Sequence, residues 1–219
     1  MVALQIKAAR AQHDITAVKT GMLYSAETVM SAARAIKENG ISRLVVDPVM
    51  RSTSGTDLLR NGAVEVLCSE LFPASWVVTP NIMEAKALSG IKITSLEDMK
   101  EAALNIAHKY NTACVLKGGH SSGFAGQDQI CADVLAHEDN VSLVEFPRIK
   151  HARLHGSGCR FSAAVAACLS TGNSIYEAVV SARRYVQSLL SQSAAPGEGT
   201  TAIEGHDLPN SFSNADARA

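Results

Sequence analysis

Leu154-His155-Gly156-Ser157-Gly158-Cys159-Arg160-Phe161-Ser162-Ala163-Ala164 sets two glycines and a serine in front of a run of small and apolar residues. Ala163, Ala164, Val165, Ala166, Ala167 and Leu169 read as a helix opening at the glycines, since alanine and leucine are strong helix formers. A helix that starts there aims unpaired backbone N–H groups at whatever lies in front of Gly156 to Cys159, which makes the turn an anion site. Gly156 and Gly158 allow close backbone approach, and Cys159 stands where the helix dipole favours a thiolate. A serine-capped helix with a buried cysteine is the alternative reading of the same residues.

Outside this stretch the composition suits one alanine-rich α/β domain: 219 residues, 47% hydrophobic and 5% aromatic. Twenty basic residues against 21 acidic ones leave a net charge of −1. No basic surface for nucleic acid follows from that balance. Five cysteines, odd in number and without C-x-x-C spacing, argue against a disulfide framework and a zinc knuckle and fit reduced thiols. No apolar run reaches signal-peptide or transmembrane length, so the expectation is a cytoplasmic protein without membrane contact.

Along the chain, short apolar strands alternate with helical spacings. The pattern predicts a helix over 3–12, a strand over 15–19, and a helix capped by Ser25 that stops at Asn39-Gly40. A strand at 44–46, a helix from about Leu58 to Leu71 and a strand at 76–79 follow. Helices over 82–89 and 96–110, the second capped by Ser95 with Asp98 three residues on, lead to a strand at 114–117. This alternation is that of a mostly parallel sheet with helices on both faces. Residues 130–136 and 141–146 break the rhythm as an antiparallel hairpin, and an amphipathic helix from about Ser174 to Leu190 closes the domain. The domain is expected over 1–192, with 193–219 as a polar, flexible tail.

In an open parallel sheet, ligands sit beyond the carboxyl ends of the strands. Four clusters fall at such ends: Lys19-Thr20-Gly21-Met22, Asp47-Pro48-Val49-Met50, Thr79-Pro80-Asn81 with Glu84, and Lys117-Gly118-Gly119-His120. Each has an ordinary structural reading as turn, helix cap or strand exit. Facing one crevice with Gly156–Cys159, they supply the parts that phosphoryl transfer needs: an anion-binding helix start, carboxylates for Mg²⁺ and a lysine for phosphate.

Taken together, Lys-Thr-Gly-Met-Leu, Asp-Pro-Val-Met with Ser52-Thr53-Ser54-Gly55, Thr-Pro-Asn-x-x-Glu, Lys-Gly-Gly-His and His-Gly-Ser-Gly-Cys resemble, in order, the hydroxymethylpyrimidine and phosphomethylpyrimidine kinases of thiamine biosynthesis. The resemblance runs from about residue 4 to about residue 192 and implies a ribokinase-like fold. It further implies an ATP- and Mg²⁺-dependent kinase that phosphorylates the hydroxymethyl group of an aminopyrimidine and then the monophosphate. Gly156, Ser157, Gly158 and Cys159 would form the anion hole, with Cys159 in the position of the base. Asp47 and Glu84 would serve the metal, Lys117, Gly119, Thr79 and Asn81 the nucleotide, and Met22 and Val49 the pyrimidine. His155, beside the anion hole, reads equally as a phosphate contact or a packing residue.

The family pattern opens with a strand and a glycine-rich loop that this sequence does not contain. The expectation is a sheet without its first strands and an acceptor pocket that is partly missing. Such a sheet would expose unpaired edges and apolar faces, favouring a homodimer or higher oligomer. Two rival readings follow: a pyridoxal kinase of the same superfamily, and a nucleotide-binding module without catalysis.

Overall fold

The computed structural model describes residues 1–52, 55–60, 62–119, 130–149 and 154–194; His120, Thr53, Ser54 and the expected tail beyond 194 lie outside them. Among the described residues six strands form one sheet in chain order. They are β1 (Ala17–Thr20), β2 (Arg43–Val46), β3 (Val77–Val78), β4 (Ala113–Leu116), β5 (Ile130–His137) and β6 (Asn140–Pro147). The first four run parallel, while β4–β5 and β5–β6 pair antiparallel. The hairpin and the mixed sheet are as the sequence pattern predicts.

The order of the strands dictates where the helices go. Right-handed crossovers between successive parallel neighbours, all advancing one way, put every connecting helix on the same face. There lie α2 (Ala26–Glu38), α3 (Ala63–Val66, widening into a π-helical turn over Leu67–Leu71), α4 (Ile82–Ser89) and α5 (Leu96–Tyr110). Val29, Ile36, Leu71, Leu88, Met99 and Ile106 pack there against Leu44, Val46, Cys114 and Leu116. The alternate strand residues Val45, Val77, Ala113 and Val115 point the other way, as a period of two requires. Among the described residues, the last two helices, α6 (Ser157–Ser170) and α7 (Ile175–Ala194), cover that second face, through Phe161, Val165, Leu169, Val179 and Val186. At the other end of the chain, α1 (Val2–Gln12) buries no residue fully, and β1 is an edge strand among the described residues.

Strand bounds shift by a residue or two, and two helix bounds shift by more. The helix expected over 58–71 starts at Ala63, because Leu58 and Leu59 N–H groups bond back to Met50 O and Gly62 turns the chain at φ 80°. The last helix continues past Leu190 to Ala194. Ser95 and Asp98 form the expected reciprocal cap, and the α5 boundaries agree residue for residue.

Candidate active site

α6 begins at the carboxyl ends of the parallel strands. Its N-cap is Gly156 at φ 72°, with no capping side chain, so the serine-cap alternative does not hold. Positive φ is cheap for glycine and strained for other residues. The first helical bond joins Arg160 N–H to Gly156 O at 2.9 Å, so the N–H groups of Ser157, Gly158 and Cys159 precede the ladder and face outward.

The helix start looks onto a charge cluster centred on Asp47, which is 2% exposed. Asp47 lies just past β2, and its Oδ1 accepts from Lys117 Nζ at 2.9 Å and from Thr79 Oγ1 at 3.4 Å. Its Oδ2 accepts from Ser162 Oγ at 3.1 Å and lies 3.6 Å from Lys19 Nζ. Burial pushes this carboxyl up, but Lys117 and Lys19 outweigh burial and hold it below the usual carboxylate range. A Cβ at Gly158 would fall 3.2 Å from Lys117 Nζ, so the second glycine of the turn leaves room for the ammonium beside the helix start.

Asn81 and Glu84 form a capping box on α4: Asn81 Oδ1 accepts the Glu84 N–H at 3.0 Å, and Glu84 Oε2 accepts the Asn81 N–H at 2.8 Å. The structural reading of Asn-x-x-Glu as cap and partner is therefore correct, and the box also fixes a carboxylate on the wall of the crevice. Burial, aided by Asp47, pushes the Glu84 carboxyl up against the pull of Lys117. Lys117 is positioned by its own N–H, which donates to Pro80 O at 2.8 Å. After it the chain passes so close to β5 that a Cβ on Gly118 would overlap the Ala132 carbonyl oxygen. The Gly118 N–H donates to Asp133 Oδ1 at 2.9 Å, and Asp133 Oδ2 accepts from Arg183 Nε at 2.7 Å and from Arg183 Nη2.

These groups line a cavity of about 600 Å³. Asp47, Val49, Asn81, Glu84, Lys117, Gly119, Gly156, Ser157, Gly158 and Cys159 are all on its wall, as is His155. Two expected residues are not. Thr79 is wholly buried and supports Asp47 from beneath, and Met22 lies outside the cavity with 57% of its surface exposed. The expectation of a thiolate at Cys159 also needs correction. Partial burial and then the Asp47 carboxylate, to which the thiol hydrogen-bonds, push Cys159 up, against the weaker pull of Lys19 and Lys117. These influences work against the thiolate that the helix start favours.

Some contributors lay beyond the motifs. Ser162 follows Cys159 by three positions and so shares its helix face, a spacing that the sequence displays. Arg183 is a charge set among Ala178, Val179, Ala182 and Val186 on the buried stripe of α7, an anomaly that also signals a buried partner. Arg148, whose Nη1 reaches Gly119 O at 3.5 Å, carried no signal.

The site fits a polyphosphate ligand: uncapped N–H groups, an ammonium with room cleared beside it, and a carboxylate at the edge. Among the described residues no three His, Cys, Asp or Glu side chains cluster to hold a metal by themselves. A divalent ion shared between Glu84, phosphate oxygens and water suits this donor set, as Mg²⁺ commonly binds. No described helix is long and apolar enough to cross a membrane.

Known proteins share this arrangement of chain. The family described as "Phosphomethylpyrimidine kinase" matches residues 1–204. The hydroxymethylpyrimidine/phosphomethylpyrimidine kinase of Bacillus subtilis is 37% identical over 183 residues, which are 84% of this chain and 66% of that protein. The thiamine biosynthesis bifunctional protein ThiED of Geobacter sulfurreducens is 39% identical over 198 residues, 90% of this chain and 39% of that protein. This chain thus spans less than two thirds of either relative. Among solved structures, phosphomethylpyrimidine kinase from Clostridium difficile aligns with a TM-score of 0.72 at 32% identity, covering 85% of this chain and 74% of that one. Pyridoxal kinase from Staphylococcus aureus aligns at 0.76 and 32%, covering 91% and 69%.

Proposed function

The chain belongs to the phosphomethylpyrimidine kinase family, and from that membership we propose that it is an ATP-dependent phosphotransferase acting on 4-amino-5-hydroxymethyl-2-methylpyrimidine and its monophosphate. The observation that carries the reading is the meeting of Lys117 with the uncapped start of α6, where glycine clears the space between them. Such donors stabilise the charge on a phosphoryl group in transit. Complexes of the related Staphylococcus aureus pyridoxal kinase with AMP-PCP and with ADP support ATP as the donor.

In this reading the N–H groups of Ser157, Gly158 and Cys159 hold the transferred phosphoryl, Lys117 offsets phosphate charge, and Gly119 and Asn81 border the nucleotide. Thr79 keeps Asp47 in place. Val49, on the cavity wall, and Met22, at its outside, flank the acceptor. Glu84, assisted through water by Asp47, would hold Mg²⁺, which supplies charge neutralisation between phosphate oxygens. Cys159 takes the proton of an alcohol acceptor, and because its thiol sits high, it does so more readily as pH rises.

The test is transfer from ATP with Mg²⁺ to the pyrimidine alcohol, beside pyridoxal as a control acceptor. Phosphorylated pyrimidine is the expected product, with kcat still climbing above pH 8 and lost in Cys159→Ala. No transfer to the pyrimidine overturns the reading; transfer to pyridoxal in its place makes the chain a pyridoxal kinase. An active Cys159→Ala variant removes the base assignment alone. Glu84→Gln, which keeps the capping box but not the charge, should raise the Mg²⁺ concentration for half-maximal rate about tenfold or more while leaving the melting temperature near that of the native chain. An unchanged Mg²⁺ dependence takes Glu84 out of the metal site.

A further inference from the structure

Lys19 is bound into the charge cluster yet stands off the wall of the cavity. Its ammonium takes Asp47 Oδ2, the oxygen that Lys117 leaves free. A Cβ at Gly21 would fall 2.7 Å from Lys19 Nζ, so the chain clears space for this ammonium as it does for Lys117 at Gly158. Glu84 and Asp47 both act on Lys117, whereas Lys19 faces Asp47 and Cys159. Lys117 stands 2.9 Å from Asp47 with Glu84 also acting on it, whereas Lys19 keeps a longer 3.6 Å contact, so its ammonium is the less closely paired of the two.

The sheet order separates the two lysines. Lys19 is the residue before the end of β1 and Lys117 follows β4, on opposite sides of Asp47 at the end of β2. From Asp47 the cavity extends toward Lys117, Phe146 and Gln187 on the side of β4, β6 and α7, and also toward Val49, Arg51 and Leu58, which follow β2. In-line transfer places the leaving and attacking oxygens on opposite sides of phosphorus. With the nucleotide on the Lys117 side, the acceptor's oxygen arrives on the Lys19 side.

We propose that Lys19 is a substrate-binding residue for an acceptor that is already a phosphate ester, its ammonium holding the acceptor's phosphate during the second of two successive transfers. The proposal rests on the kinase reading above. In that step a non-bridging oxygen of the acceptor phosphate, already deprotonated, forms the new bond to the γ-phosphorus. The bond to the β–γ bridging oxygen breaks, and the nucleoside diphosphate leaves with the electron pair. No proton moves, so the step makes no call on Cys159. What the site must offset is repulsion between two phosphates, and a cation on the acceptor side does that.

The experiment compares the native chain, Lys19→Met and Lys19→Arg for transfer to the pyrimidine alcohol and to its monophosphate. Binding of a fluorescent ATP analogue and the melting temperature are read alongside. Asp47 keeps Lys117 and Ser162 in every variant, which preserves the fold. In Lys19→Met the ratio of kcat/KM for monophosphate over alcohol should fall about tenfold or more, the loss of one charge-assisted contact, mainly through KM. Lys19→Arg should restore most of it. A ratio within twofold of native overturns the proposal, and so does loss of the fluorescent nucleotide in parallel, which would put Lys19 in the nucleotide half. If the native chain transfers to neither acceptor, the kinase reading fails by itself. Calorimetric titration of the monophosphate into native and Lys19→Met protein then decides, equal affinity or no binding overturning the proposal.

Discussion

Asp133→Ala costs the fold about 3–5 kcal/mol, because it leaves the Arg183 guanidinium buried without a counter-charge. Asp133 is fully buried and Arg183 is 7% exposed. The guanidinium lies between two rings, 4.1 Å from the centroid of Phe146 and 4.8 Å from that of Phe161, which shield most of it from water. The same substitution strips the Gly118 N–H of its acceptor, at a point where the chain is pressed on the backbone of β5. For a domain of this size the melting temperature should drop by on the order of 10 °C. Asp133→Ala combined with Arg183→Met removes both charges and should recover most of the loss, since an apolar replacement of a buried pair is often neutral. Thermal unfolding of the single and double variants measures this, and a single variant that melts within 2 °C of native would show that the pair contributes nothing.

Gly158→Asp should abolish transfer and spare the fold. Its Cβ lands 3.2 Å from Lys117 Nζ, and the neighbour that has to give way is the end of a flexible side chain, not backbone. The new carboxylate then pairs with Lys117 and sits in front of the first N–H groups of α6, where the phosphoryl group would lie. An acidic residue in the first turn of a helix is favourable for the helix itself, so melting should stay at or above native. Removal of one donor of this kind costs about 10²–10³ in kcat. Here an ammonium and the helix start are lost together, and kcat/KM should fall by about a thousandfold or more. A folded Gly158→Asp protein with a tenth of native activity would place the phosphoryl group elsewhere.

Much of this was legible before any coordinates. Alternation of strands and helices gives the parallel sheet, and reciprocal caps such as Ser95 with Asp98 mark helix starts because their physics is local. The crevice was legible as well, since residues at strand ends must share one edge of a parallel sheet. What the sequence hid is what depends on distance through space. Lys19 and Lys117 stand in separate motifs, and nothing in either says that one Asp47 carboxylate holds both. The thiol of Cys159 looked activated because the helix dipole is read from local sequence, whereas the Asp47 carboxylate that opposes it comes from β2. The helix start at Ala63 was misplaced because Leu58 and Leu59 spend their N–H groups on Met50, a choice that apolar spacing does not record.

The sequential order of the strands also orders events in time. With α2 to α5 all on one face, the opposite face of β1 to β4 is covered, among the described residues, by α6 and α7, the last helices in chain order. On the ribosome, an emerging chain would therefore carry a half-covered sheet through most of its synthesis, a sticky interval of the kind that draws chaperones. Closing that face brings Val45 together with residues more than a hundred positions later, the kind of distant pairing that slows folding. α6 does both jobs: it shuts the core and carries the turn at Gly156. The N–H groups at the start of α6, where the phosphoryl group is proposed to lie, are thus among the last parts of the site to be set, and only once the core is sealed.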